Sequence, residues 1–341
     1  MELKRYLGTA AWRADEFKGD SWIDGLTPEQ QAELDNAALA LPEDESQWLQ
    51  MTRDDLVLPT LAPRLDSINT HLEEGRGFAV LRGIDLPPLD LDYAYRVNWV
   101  LALSLGQVIA QNANGEVIGA VAAVADGNDN GIDKRGYVSN AELRFHCDGG
   151  DVASLLCVRQ APKGGSNALV SMVSIHNTMV DECPEHLRTL YRGLRMYMRK
   201  EGDLEADQLP KRPLFYPQTD HVLSWVNLRL MELPYEAAGE PMPVDERAAL
   251  NALEEIAERP ENKLNLRLQP GDMLLTHNFV CMHKRSSFTD DSNPDLARLM
   301  LRLWYNIRGG RVEAIVSESE RKGYFTQKPY IIRDSGIPAA L

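Results

Sequence analysis

Apolar and polar positions along this chain follow two periods, and the change from one to the other divides it. Residues 28–41 are rich in Ala, Leu, Glu and Gln, and Thr27-Pro28 ahead of them supplies an N-cap followed by a proline at the first helical position. A second helix is expected over 61–74, ending at Gly75-Arg76-Gly77. Residues 78–83 read as a strand closed by a glycine turn, and 91–105 as a helix that stops at Gly106. Beyond Gln107 the pattern shortens into strands, at 117–124, 152–159, 168–173, 221–230, 264–268, from Asp272 onward, and 298–306. Turns such as Gln269-Pro270-Gly271 separate them. Two further helices are expected, at 174–192 and at 244–259, the second with Asp245 as N-cap and Pro260 past its end.

This order predicts a mainly β protein with helical decoration, built on a sandwich or jelly roll, that is, a double-stranded β-helix core. A parallel α/β sheet is disfavoured, because no strand leads into a glycine-rich dinucleotide fingerprint or a phosphate-binding loop. The expected organisation is an N-terminal helical elaboration over 1–75, a core domain over 76–310 and a C-terminal extension over 311–341. The core would carry a lid-like loop at 126–140 and a helical insert at 174–260. No internal repeat interrupts this order.

Charge narrows the partners. With 36 Lys and Arg against 51 Asp and Glu, the formal net charge of −15 argues against nucleic acid, whose phosphates want a basic surface. No apolar run approaches the ~20 residues of a membrane helix, and the start of the chain has no apolar signal core. Four cysteines without CxxC pairing fit reduced thiols in a cytoplasmic protein.

The chemistry centres on Phe145-His146-Cys147-Asp148. On an extended strand His146 and Asp148 point to one side and could hold adjacent positions on a metal, with Cys147 facing away. Such a tripeptide arises often by chance, so a downstream His must complete it. His277 and His283 are the candidates, with His221 weaker. Six residues apart, the first two would face the same way on an uninterrupted strand, and periodicity does not choose between them. In the strand 298–306, Leu299, Leu301 and Leu303 share a core face while Arg298, Met300 and Arg302 share the other. Two Arg on so apolar a strand need anionic partners, either structural salt bridges or ligand carboxylates.

Together, Phe145-His146-Cys147-Asp148, Gly164-Gly165-Ser166-Asn167, Gly271-Asp272, Asn278, Met282-His283-Lys284-Arg285-Ser286-Ser287-Phe288 and the run from Arg298 to Trp304 resemble the taurine dioxygenase-like family. This is a group of iron(II)- and 2-oxoglutarate-dependent oxygenases that includes clavaminate synthase and amino-acid hydroxylases. The resemblance covers roughly residues 75–306. It implies His146, Asp148 and His283 as iron ligands, His283 being preferred to His277 for the run that follows it and its distance from Arg298. It implies Arg298 on the far carboxylate of 2-oxoglutarate, assisted by Asn167 where the family commonly has a Thr. Arg302 would hold an acidic group of the prime substrate. The implied reaction consumes O2, releases succinate and CO2 and hydroxylates a C–H bond. The carboxylate at Asp148 argues against halogenation.

The substrate is expected to be a small, carboxylate-bearing molecule, an amino acid or derivative. Gln111 and Asn112 could contact it or form a plain turn. Arg144, on the strand face of His146, could reach the pocket mouth or pair with a surface acid. Desaturation, epoxidation and cyclisation stay open, as do a zinc hydrolase and a non-catalytic protein that binds a small acid. The sequence carries no signal for or against a homo-oligomer.

Overall fold

The computed structural model describes residues 3–87, 89–112, 114–123, 139–197, 209, 211–316 and 328–333. The expected lid-like loop falls outside the described residues except for Ser139 and Asn140, as does most of the expected extension beyond 316.

The core is a jelly roll of two facing sheets. The larger runs in the order Asp24–Gly25, Phe78–Arg82, Met273–His277, Val152–Arg159, Leu299–Asn306, Gln107–Ile109, with Ile118–Val121 also pairing to Leu299–Asn306. Only its outermost pair is parallel. The smaller runs Leu264–Leu266, Asn167–Ser171, Cys281–Arg285, Leu143–His146 and is antiparallel throughout. Between the sheets lies an apolar layer that includes Phe78, Val80, Cys157, Leu169, Leu274 and Met300.

Both outer faces are covered by helices. Pro28–Ala40, Leu61–Glu73 and Leu91–Leu105 bury Leu34, Leu65 and Trp99 against Leu156, Leu301 and Tyr305 of the large sheet. Met172–Glu182, Pro184–Arg192 and Val244–Glu258 bury Ile175, Leu187 and Leu253 with Phe145, Val170 and Met282 of the small one. The strand Leu299–Asn306 is therefore covered on both sides. Its leucines meet helices, and its other face, with Arg302, looks into the sandwich.

Local chemistry explains where expectation and structure agree. Thr27 accepts from the Gln30 amide at 3.2 Å while Gln30 Oε1 accepts from the Thr27 amide at 3.1 Å, a reciprocal cap for the first helix. Four expectations change. The helix expected over 174–192 is two helices, because Pro184 pushes Cys183 out of helical geometry. The strand expected over 168–173 ends at Ser171, whose hydroxyl caps the helix that starts at Met172. The strand expected over 221–230 survives only as Val222–Ser224, and Leu228–Ala238 is a helix capped by Asn227. Its buried Leu228, Met231 and Tyr235 follow a helical spacing that the short apolar run concealed. The last helix begins at Val244 after Pro243, so Asp245 lies in its first turn and is not the cap.

One crossing positions the site. After His277 the chain leaves the large sheet through Asn278, Phe279 and Val280 and enters the small sheet at Cys281. The two downstream histidines thus belong to different sheets. Among the described residues, no helix is long and apolar enough to cross a membrane.

Candidate metal centre

His283 lies directly opposite His146 in the antiparallel register of Cys281–Arg285 against Leu143–His146. Cross-strand partners on one face bring their side chains together, and the two imidazole centroids are 4.4 Å apart. His146 is the last residue of its strand, so Asp148 stands in the turn beyond it and not on the extended strand the sequence suggested. That turn is tightly held. The Cys147 amide donates to the Val226 carbonyl at 2.7 Å, the Asp148 amide to Asn278 Oδ1 at 3.0 Å, and Trp225 Nε1 to the Asp148 carbonyl at 2.9 Å. Asn278 Nδ2 in turn donates to the carbonyls of Gly149 and Gly150.

One ligand atom from each of His146, Asp148 and His283 can be chosen so that all three lie within 4.8 Å of one another. Two imidazoles and one carboxylate at this spacing suit iron(II) with open positions. His146 Nδ1 is 2.8 Å from the Arg144 carbonyl oxygen, a contact in which the ring N–H donates, which leaves the Nε2 lone pair for a metal. Burial, reinforced by His283, pushes the His146 pKa down to about 4, so the ring is neutral at physiological pH. Burial alone would raise the Asp148 carboxyl. The Arg302 guanidinium and the two imidazoles outweigh it and hold Asp148 well below the usual carboxylate range.

Arg298, Arg302, Asn167 and the triad line one pocket. Arg298 is 1% exposed, and its Nε and Nη1 have no hydrogen-bond partner. Burial lowers its pKa to about 10, so it stays charged at neutral pH. Gly165 makes room for it: at φ +71°, a Cβ there would stand 3.2 Å from Arg298 Nε. Asn167 is 3% exposed, with Oδ1 unpartnered. Arg302 donates from Nη1 to Asp148 Oδ1 at 3.2 Å and from Nε to Gln111 Oε1 at 2.8 Å.

The remaining sequence candidates fall elsewhere. Gln111 Nε2 donates to the carbonyls of Val117 and Arg302, so Gln111 orients Arg302 from behind. Asn112 closes a turn, its Oδ1 accepting from the Asn114 and Glu116 amides. Arg144 pairs with Glu254 at 2.6 Å and Glu232 at 3.1 Å, away from the pocket lining. His277 is fully buried, with Nε2 3.0 Å from Glu73, and His221 pairs with Asp220.

The roles of three residues escaped the sequence reading, although Asn278 and Arg285 belong to the runs that carry the resemblance. Asn278 and Trp225 secure the Asp148 turn, a role that no periodicity signals. Arg285 also lines the pocket, 4% exposed. Its signal was present, since it is two residues past His283 and shares that residue's strand face.

Residues 41–304 match the family described as Taurine catabolism dioxygenase TauD, TfdA family. FR-33289 synthase of Streptomyces rubellomurinus is 32% identical over 312 residues, covering 90% of this chain and 92% of that protein. Taurine hydroxylase-like protein SAT17 of Stachybotrys chartarum is 26% identical over 318 residues, covering 86% and 77%. Among solved structures, asparagine oxygenase in complex with Fe(II), 2S,3S-3-hydroxyasparagine and succinate superposes with a TM-score of 0.67 at 17% identity, over 85% of this chain and 96% of that one. The non-heme iron oxygenase OrfP in complex with Fe and alpha-ketoglutaric acid does so with a TM-score of 0.62 at 16% identity, over 83% and 93%. At these identities the structural likeness is one of fold.

Proposed function

The chain belongs to the TauD, TfdA dioxygenase family, and from that premise we propose that it hydroxylates a C–H bond of a small anionic amino acid or derivative. It is a 2-oxoglutarate-dependent non-haem iron dioxygenase. Iron(II), when bound, supplies the activation of dioxygen, with 2-oxoglutarate as the co-reductant that leaves as succinate and CO2.

The observation that carries the reading is Arg298. A cation buried without an acceptor for Nε and Nη1, in the same pocket as the triad, suits a ligand that brings its own negative charge. In this proposal His146, Asp148 and His283 hold the iron, and Arg298 with Asn167 holds the far carboxylate of the cosubstrate. The His146 ring is neutral and turned by the Arg144 carbonyl, so it needs no proton loss before it can bind metal. Arg302 keeps Asp148 ionised and remains within reach of an anionic substrate group. Val121, Ala153, Leu155 and Leu274 give the pocket an apolar wall that keeps water from the reacting carbon.

Two neighbours are complexes with hydroxylated amino acids, 3-hydroxyasparagine in one and (3S)-hydroxy-L-Arg in the other, which supports an amino-acid-like substrate. A relative named as the synthase of FR-33289 supports a biosynthetic setting.

The test is anaerobic spectrophotometry of the purified protein with iron(II) and rising 2-oxoglutarate, followed by a screen of amino acids and other small acids for stimulated succinate release. A visible charge-transfer band that is lost in His146→Ala and weakened in Arg298→Ala is the expected result. Iron binding with no band at saturating cosubstrate would overturn the proposal.

A further inference from the structure

Arg285 lines the same pocket as the triad, Arg298 and Asn167. It ends the strand that carries His283, on the same face, and its backbone partner across the sheet is Asn167. Two residues of strand advance about 6.6 Å. A ligand chelated at the His283 end therefore extends toward Arg285 and Asn167. Arg298 approaches from the other sheet, and both guanidinium groups lie over the ring of Phe288, at 4.7 and 5.1 Å from its centroid.

The side chain is 4% exposed, and its donors are divided. Nη2 donates to the carbonyls of Ser139 and Ala141, which fixes the guanidinium in place. Nε and Nη1 are buried without a partner, as are the same two atoms of Arg298. Among the described residues no carboxylate accepts from these atoms, and Asp290 is engaged by the Arg298 backbone amide and not by its Nε or Nη1. A purely structural role explains Nη2. It leaves the three N–H bonds on Nε and Nη1 unanswered, beside a second buried cation whose charge opposes the first. Burying two like charges together is costly unless an anion joins them.

We propose that Arg285 is a second cosubstrate-binding residue, so that the far carboxylate of 2-oxoglutarate is held between Arg285 and Arg298. This rests on the function proposed above. The substrate selectivity it adds is for dicarboxylic over monocarboxylic 2-oxo acids, since only the former present an anion to both cations.

The test uses the full-length, iron(II)-loaded protein under anaerobic conditions, titrated with 2-oxoglutarate and separately with 2-oxopentanoate, which has the same chelating end and no far carboxylate. Arg285→Gln is expected to raise the Kd for 2-oxoglutarate by about 10–100-fold and to leave that for 2-oxopentanoate unchanged. Arg285→Lys, which keeps the charge, is expected to recover part of the loss and serves alone if the Gln variant does not fold. Equal weakening of both ligands would reduce Arg285 to a strut for the Ser139 and Ala141 carbonyls. No change in either would overturn the assignment as well. A wild-type protein that gives no band with 2-oxoglutarate would instead overturn the functional proposal itself.

Discussion

Arg302 Nη1 lies 3.2 Å from Asp148 Oδ1, so the proposed metal carboxylate on one side of the sandwich is steadied by a cation from the other. Sequence reasoning assigned Arg302 to a substrate anion, and the partner it has here is Asp148. Because Arg302 is the main charge that lowers the Asp148 pKa, Arg302→Gln should move that carboxyl upward toward its ordinary range. Protons then compete with the metal at a higher pH than in the wild type. Titrations with iron(II) at pH 8 and pH 5 should give a larger loss of affinity at the second than at the first. An equal loss at both values would mean that Arg302 acts through packing alone.

Asn278 is fully buried and serves three backbone groups of the turn that carries Asp148. Asn278→Ala leaves all three without partners, and each unpaired buried group costs about 1–3 kcal/mol. Urea unfolding should show a loss of at least about 3 kcal/mol. Iron affinity should fall with it, although the residue touches no ligand atom. Unchanged stability would indicate that water replaces the amide.

Arg298 sets stability against binding. Its buried, partly unpartnered charge is a liability in the ligand-free protein. Arg298→Met should therefore leave the free protein as stable as the wild type or raise its stability by about 1 kcal/mol. The same change should remove the thermal stabilisation conferred by 2-oxoglutarate in the presence of iron(II). Thermal melts with and without cosubstrate check both halves, and a strongly destabilised free protein would contradict the first.

His176 supplies a pH effect remote from the metal. It is buried among Tyr6, Tyr191 and Phe215, with Nε2 2.7 Å from the Tyr191 hydroxyl. Burial pushes its pKa down to about 4. Since the unfolded chain takes up a proton near pH 6.5 and the folded chain does not, this group's contribution to stability is lost as pH falls from about 6.5 to about 4. At pH 5 the loss is about 2 kcal/mol. Comparison of urea midpoints at pH 7 and pH 5 should find that His176→Gln lacks this part of the acid sensitivity, whatever its stability at pH 7.

Much of this was legible from the residues. The helices over 28–40, 61–73 and 91–105 announce themselves by caps, glycine stops and apolar faces. The alternation of Leu299, Leu301 and Leu303 against Arg298 and Arg302 placed those two arginines on the face that lines the pocket, though not Arg285. Two things did not show. Asn278, Phe279 and Val280 carry no Pro or Gly, so the crossing between sheets that separates His277 from His283 reads as continuous strand. Arg144 shares the strand parity of His146, yet Glu232 and Glu254 claim it from two helices far along the chain. Long-range charge pairing of that kind leaves no local trace.

The division of the site between two sheets has a mechanical consequence. His146 and His283 ride on the small sheet, whereas Arg298 and Arg302 border or lie on the Leu299–Asn306 strand of the large one. A dicarboxylate anchored at iron by one end and at Arg298 by the other would brace the sandwich like a strut, in parallel with the tie from Arg302 to Asp148. The span between its anchors is then set by the thickness of the apolar layer, to which Leu169 and Met300 contribute without lining the pocket. The core acts as a caliper for the cosubstrate, and thinning it at Met300 should detune the grip while every binding side chain stays in place.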